Sequence, residues 1–190
     1  GYMIPPGLSF ISVSDRAWKA NEISDLPKFY LDLKSYKKSL LNNSNPFTPS
    51  VNLMFALDEA LKMMREEGLE NIFQKHERHK KAISEAAKKL NLKLFATEGS
   101  LSPSITALVA EDFDAESFRK SIQNKYGIQL AGGQDHLKGK IFRVGHLGYI
   151  NNHDIISAIT SIGLELYEKN VVDADDIGQA LIEAKKHLEI

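Results

Sequence analysis

Cysteine is absent from the 190 residues. With it go a disulfide framework, a Cys-ligated zinc site and thiol nucleophilic catalysis. Neither charge dominates: 24 basic residues stand against 25 acidic ones, for a formal net charge of -1. That balance leaves no electrostatic footprint for nucleic acid or an anionic membrane, so neither is expected as a partner. Long apolar runs are missing too, since none approaches the roughly 20 residues that span a bilayer. No basic region followed by an apolar run and a cleavage site opens the chain, and a cytoplasmic location is the default expectation. What remains is an ordinary globular composition, 43% hydrophobic and 26% charged. At roughly 150 residues per domain, the length predicts one to one and a half domains and a sizeable core.

Leu8 to Val13 alternates apolar and small polar residues behind Pro5-Pro6-Gly7 and predicts a strand. Entered without partners, such a strand exposes an apolar face, as if the chain began inside a larger unit. Residues 14 to 24 predict a short helix capped by Ser14 or Asp15, with Trp18 on its buried side. Residues 25 to 47 show no clear period, and an irregular stretch of that length is often functional. Thr48-Pro49 suits a helix start, and Val51, Met54, Leu57, Leu61 and Met64 follow at the spacing of one buried stripe. Gly68 ends or kinks that helix, and a second, heavily charged one runs to Leu90.

The pattern then changes. Leu92 to Ala96, Ile105 to Ala110, Ile128 to Leu130 and Lys140 to Val144 read as strands. Helices are predicted from Asp114 to Tyr126 with Gly127 behind, from Asn152 or His153 to about Lys169, and from Asp173 to Leu188. The last carries acids in its first turn and bases in its last, the order that suits the helix dipole. Two unequal pieces are therefore expected, a helical N-terminal part with a long connector and a small α+β unit.

Few side chains stand out as chemistry. His76 and His79 lie one turn apart, but Lys75, Lys80 and Lys81 surround them and no third ligand is near. A solvated helical face is the expectation, and no metal site. Gly132-Gly133 lacks the spacing of a phosphate-binding fingerprint and predicts a tight turn. Arg143 sits between Phe142 and Val144 near the end of an apolar strand, followed by Gly145 and Gly148. A guanidinium so placed suits bidentate capture of a carboxylate, although spacing alone favours a surface or structural arginine. Thr48 caps the helix or, with the helix-start amides, holds a phosphate; Pro49 removes one donor, and spacing alone favours the cap.

Five blocks in order, after the opening Gly1-Tyr2-Met3-Ile4-Pro5-Pro6-Gly7-Leu8-Ser9-Phe10, carry a resemblance. They are Phe29 to Leu33, Pro46 to Pro49, Glu66 to Asn71, Leu130 to Gln134 and Lys138 to Tyr149. Together they resemble class V aminotransferases of the alanine–glyoxylate and serine–glyoxylate group, to which proteins called small subunits of soluble hydrogenase also belong. The resemblance covers about residues 1 to 168 and leaves the segment after Asn170 outside.

That resemblance implies an α/β fold, the C-terminal portion of a fold-type-I pyridoxal-phosphate transferase. Residues 1–47 would end the large cofactor-binding domain, 48–90 form connector helices, 91–170 the small α+β domain, and 171–190 a helical extension. It implies that the cofactor lysine stands immediately before Gly1, so no catalytic residue is assigned within this chain. The implied reaction moves an amino group from a small amino acid, of alanine or serine type, to glyoxylate or a similar 2-oxo acid, with pyridoxal 5'-phosphate as cofactor. Arg143 matches the family's substrate-carboxylate arginine. Thr48 matches the threonine that reaches the phosphate of the partner subunit's cofactor, which implies a homodimer with shared sites. A tyrosine stands in the mammalian type at the place of Asn45, and Asn45 receives no role. The absence of Cys argues against the related desulfurases, which need a thiol nucleophile in this half. The competing expectation is a non-catalytic dimerisation or interaction module.

Overall fold

The computed structural model describes residues 1–188. Contacts divide the chain within one helix, into Tyr2–Met63 and a second unit from Met64 onward that also takes in Gly1.

In the first unit, α1 (Asp15–Ile23) starts where Ser14 Oγ accepts the Ala17 N–H at 3.3 Å, the cap its sequence predicts. Trp18 is half-buried, with Lys37 Nζ 4.4 Å from its ring centroid. Leu8 to Val13 form no strand, because no strand among the described residues of this unit offers a ladder to join. The segment without a clear period instead contains α2 (Leu33–Leu41), whose first turn is held by the Asp32 carboxylate on the Lys34 N–H. Phe47 gathers Phe29, Tyr30 and Tyr36 around it, ring centroids 5.7, 4.7 and 6.3 Å away. α3 (Val51–Glu67) begins later than predicted: the Ser50 carbonyl accepts the Met54 N–H, so Thr48 stands two residues before the cap. Val51 and Met54 of the expected stripe are exposed, and Ala60 is the one buried apolar side chain among the described residues of this unit.

In the second unit, α4 (Leu69–Lys89), α5 (Ala115–Tyr126), α6 (Asn152–Glu168) and α7 (Ala174–His187) accompany a four-stranded antiparallel sheet. Its strands are β1 (Lys93–Leu94), β2 (Ile105–Val109), β3 (Ala131–Gly132) and β4 (Ile141–Gly145), in the order β1-β2-β4-β3. Leu108 pairs with Phe142 and Thr106 with Val144, and all four are buried. Their alternate neighbours Ala107 and Arg143 form the next pair on the opposite face and are half-buried, as the period of two requires. Against the buried face pack Phe118 and Ile122 of α5 and Ile155, Ile159 and Leu166 of α6. Phe113, Phe118 and Phe142 stack at 4.6 to 6.3 Å. Ala82, Ala86 and Ala87 of α4 and Ala180 and Ala184 of α7 are almost wholly buried, so two alanine faces let these helices approach closely. α4 thus belongs with the second unit, whereas the sequence reading grouped it with α3 as a connector.

Local signals placed α5 well. Asp114 accepts the Ser117 N–H at 2.8 Å, and Gly127 closes the helix in the left-handed region at φ 70°. Ile128 to Leu130 is not a strand; the edge strand is Ala131–Gly132, one step further on, so Gly132 sits in the sheet rather than in a turn.

Candidate functional site

Arg143 is central to the open face of the small sheet, flanked by Ala107 on β2 and Ala131 on β3. Both neighbours are small, which leaves room for a long side chain to lie across the sheet. Its Nε donates to the Gly132 carbonyl at 2.9 Å. One edge of the guanidinium is thereby spent on the protein. No acidic side chain among the described residues pairs with the terminal nitrogens, which keep the fork that a carboxylate can meet with two parallel hydrogen bonds.

Behind Gly132 lie the ends of two flexible side chains. A Cβ there would overlap Glu116 Oε1 and come within 3.0 Å of Arg119 Nε. Those two residues of α5 form a bidentate pair, Nε to Oε1 at 3.0 Å and Nη2 to Oε2 at 2.7 Å. The hydrogen bond from Arg119 holds the Glu116 carboxyl below its ordinary range, against a smaller opposing effect of burial. β3 is therefore held on one side by an ion pair and grasped on the other by Arg143.

Histidines supply the part that sequence reasoning missed. The expected solvated face of α4 is not there: His79 is buried, its Nε2 3.0 Å from Asn152 Oδ1 on α6. His146, just beyond β4, is fully buried with Nε2 3.0 Å from Thr106 Oγ1. Burial, then the nearby His79 and His76, push the His146 imidazole down to about 4. Burial also lowers His79, with the Asn152 hydrogen bond working the other way. The spacing of His76 and His79 was visible in the sequence. That His146 folds back beside them was not, because it depends on how β4 ends. Among the described residues no group of three or more His, Asp or Glu is placed to hold a metal ion.

Thr48 lies in the other unit, exposed, on an open recess of about 710 Å³ lined by residues 43 to 49. Hydroxyls and side-chain amides of Asn43, Ser44, Asn45 and Thr48 line it, with no carboxylate among them. That donor set suits phosphate oxygens. Because α3 starts at Val51, Thr48 is not the helix cap.

No protein-family model matches the chain. Sequence and fold nevertheless agree on a class: the chain is similar to class V aminotransferases in both. It is 53% identical over 168 residues to the soluble hydrogenase 42 kDa subunit of Anabaena cylindrica, covering 88% of this chain and 44% of that protein. It is 34% identical over 178 residues to serine–glyoxylate aminotransferase of Methylorubrum extorquens, 90% of this chain and 44% of that one. The crystal structure of ureidoglycine–glyoxylate aminotransferase from Bacillus subtilis superposes with a TM-score of 0.87 at 25% identity, covering 97% of this chain and 49% of that one. The chain thus spans about half the length of the relatives it matches. At 97% coverage α7 falls inside the match, so the likeness reaches past the residue 168 that the sequence blocks suggested. No helix among the described residues is long and apolar enough to cross a membrane.

Proposed function

We propose that the chain is the C-terminal part of an aminotransferase that moves an amino group from a small amino acid, of alanine or serine type, to glyoxylate or a similar 2-oxo acid. The observation that carries this reading is the state of Arg143, held at Nε by Gly132 and open at its fork. An amino donor and an oxo acceptor share one feature, the α-carboxylate. A single pre-oriented guanidinium therefore serves both halves of the exchange and aims the α-carbon the same way each time.

Bound pyridoxal 5'-phosphate would supply the electron sink that makes the substrate's α-proton removable. Toward it this chain offers the Thr48 hydroxyl and the neutral amides around it as phosphate donors. In this reading Thr48 serves the cofactor of the partner subunit in a homodimer with shared sites. Residues 1–47 end the large domain, 48–90 lead out of it with α4 already packed on the small domain, 91–170 form the rest of that domain and the segment from 171 extends it.

The test is Arg143→Ala in the full-length protein. Apparent KM should rise for both amino donor and oxo acid, by on the order of 2 to 5 kcal/mol of lost charge-paired binding. An unchanged KM sinks the assignment.

A further inference from the structure

We infer that His76 is a positioning residue for the carboxylate-binding arginine: in its neutral form it clasps the Gly148 amide and so fixes the loop by which the chain leaves β4. The inference rests on Arg143 being the carboxylate anchor.

The tautomer follows from the neighbours. His76 Nδ1 lies 2.7 Å from the Ile72 carbonyl oxygen, one turn back on α4. A carbonyl can only accept, so Nδ1 carries the hydrogen. In a neutral ring Nε2 is then a lone pair, and the Gly148 N–H donates to it at 3.4 Å. Protonation would set N–H against N–H and end the clasp. The same loop is tied at its start, where the His146 N–H donates to the Ser104 carbonyl at 3.0 Å and its ring is buried. Beyond Gly148 the chain turns at once, the Ile150 N–H meeting the Gly148 carbonyl at 3.0 Å. Only Gly145 separates β4's Val144 from His146, so the clasp on Gly148 holds the exit of the strand that displays Arg143.

The groups facing His76 are few. His79 on α4 and His146 at the end of β4 lie close enough to interact with it, while Lys75, which pairs with Glu67 at 2.5 Å, and Arg78 act on His79. α6 contributes the neutral Asn152, already engaged with His79. His79 and His146 are both held toward the neutral state.

Hydrogen exchange over residues 145–150, read by mass spectrometry in the full-length protein from about pH 5 to about 8 and corrected for intrinsic rates, tests this. The variants are His76→Gln, whose carbonyl replaces the Nε2 lone pair and cannot be protonated, and His76→Phe, which keeps the ring and loses the acceptor. Wild type should lose protection by about tenfold on acidification. H76Q should hold it throughout and H76F lack it throughout. KM for the amino donor should rise in H76F with kcat little changed, and H76Q should restore it. Wild-type protection that does not change with pH overturns the clasp, as does H76Q exchanging like H76F or keeping the wild-type pH dependence. Arg143→Ala separates the two readings. If its KM is unchanged while the exchange pattern holds, the anchor fails and the clasp stands; flat exchange with a raised KM gives the reverse.

Discussion

Arg143 donates from Nε to the carbonyl of Gly132, an edge-strand residue whose open side-chain position faces the Glu116–Arg119 pair. Two arginines thus work from different elements on one short strand, and only one has its charge paired. Arg119 is neutralised within α5; Arg143 has no such partner among the described residues. A side chain fixed at one nitrogen and unpaired at its fork is oriented before any anion arrives, which lowers the entropy cost of binding it.

Gly132→Ala tests that arrangement without touching a charge. The new methyl cannot share space with Glu116 Oε1, so either the ion pair or β3 must move. Overpacking of this kind costs on the order of 1 to 3 kcal/mol. The expected outcome is a lower denaturation midpoint together with a raised KM, since the carbonyl that holds Arg143 moves with the strand. A variant with wild-type midpoint and KM would show that β3 does not position the guanidinium.

Arg143→Lys should fail where charge alone would suffice. Lysine keeps the positive charge but has neither the Nε that bonds Gly132 nor a planar fork. KM for the carboxylate substrates should remain raised by about tenfold or more relative to wild type. Near-wild-type KM in steady-state kinetics would mean that Arg143 acts as a point charge.

Acid should destabilise the fold through His146 before carboxylate titration dominates. Its imidazole is lowered from an ordinary 6.5 to about 4 by burial. The unfolded chain therefore takes up a proton at a higher pH than the folded one. Stability from this group is complete above about 6.5 and is lost as pH falls toward about 4, by on the order of 3 kcal/mol in all. His79, lowered for the same reason, adds in the same direction. Urea midpoints between pH 7 and pH 4 should fall steeply in wild type and less steeply in His146→Gln. Equal slopes would remove His146 as the cause.

What was legible in the sequence was whatever a few neighbouring residues decide. Asp114 and Gly127 marked both ends of α5, and the alternation Phe142-Arg143-Val144 set the facing of β4 before any partner was known. Thr48 illustrates the limit, because threonine before proline is a good helix start and yet the first helical bond is accepted by Ser50. α2 was missed although Leu33, Tyr36 and Leu40 follow at helical spacing, because nine residues give that stripe only two turns to show in; its place is set by Asp32 and by the aromatic rings around Phe47. His79 was misjudged for a physical reason: the lysines beside it are amphipathic, and whether their helix face is wet depends on what docks there. Here Asn152 arrives from 73 residues away.

The last helix illustrates the same dependence on distant partners and gives the final prediction. Asp173 and Asp176 close a capping box at its start, and Ala180 and Ala184 are fully buried in a face that packs against α4, with Ile177 close to Gly163 of α6. An extension that merely trailed the domain would tolerate a larger side chain at Ala180. Packed as it is, Ala180→Leu has no void to fill and must push α7 away from its neighbours. A loss on the order of 1 to 3 kcal/mol is expected, read as a lower urea midpoint for the second unit. An unchanged midpoint would mean that α7 contributes little to the core, and the alanine face it shares with α4 would need another purpose.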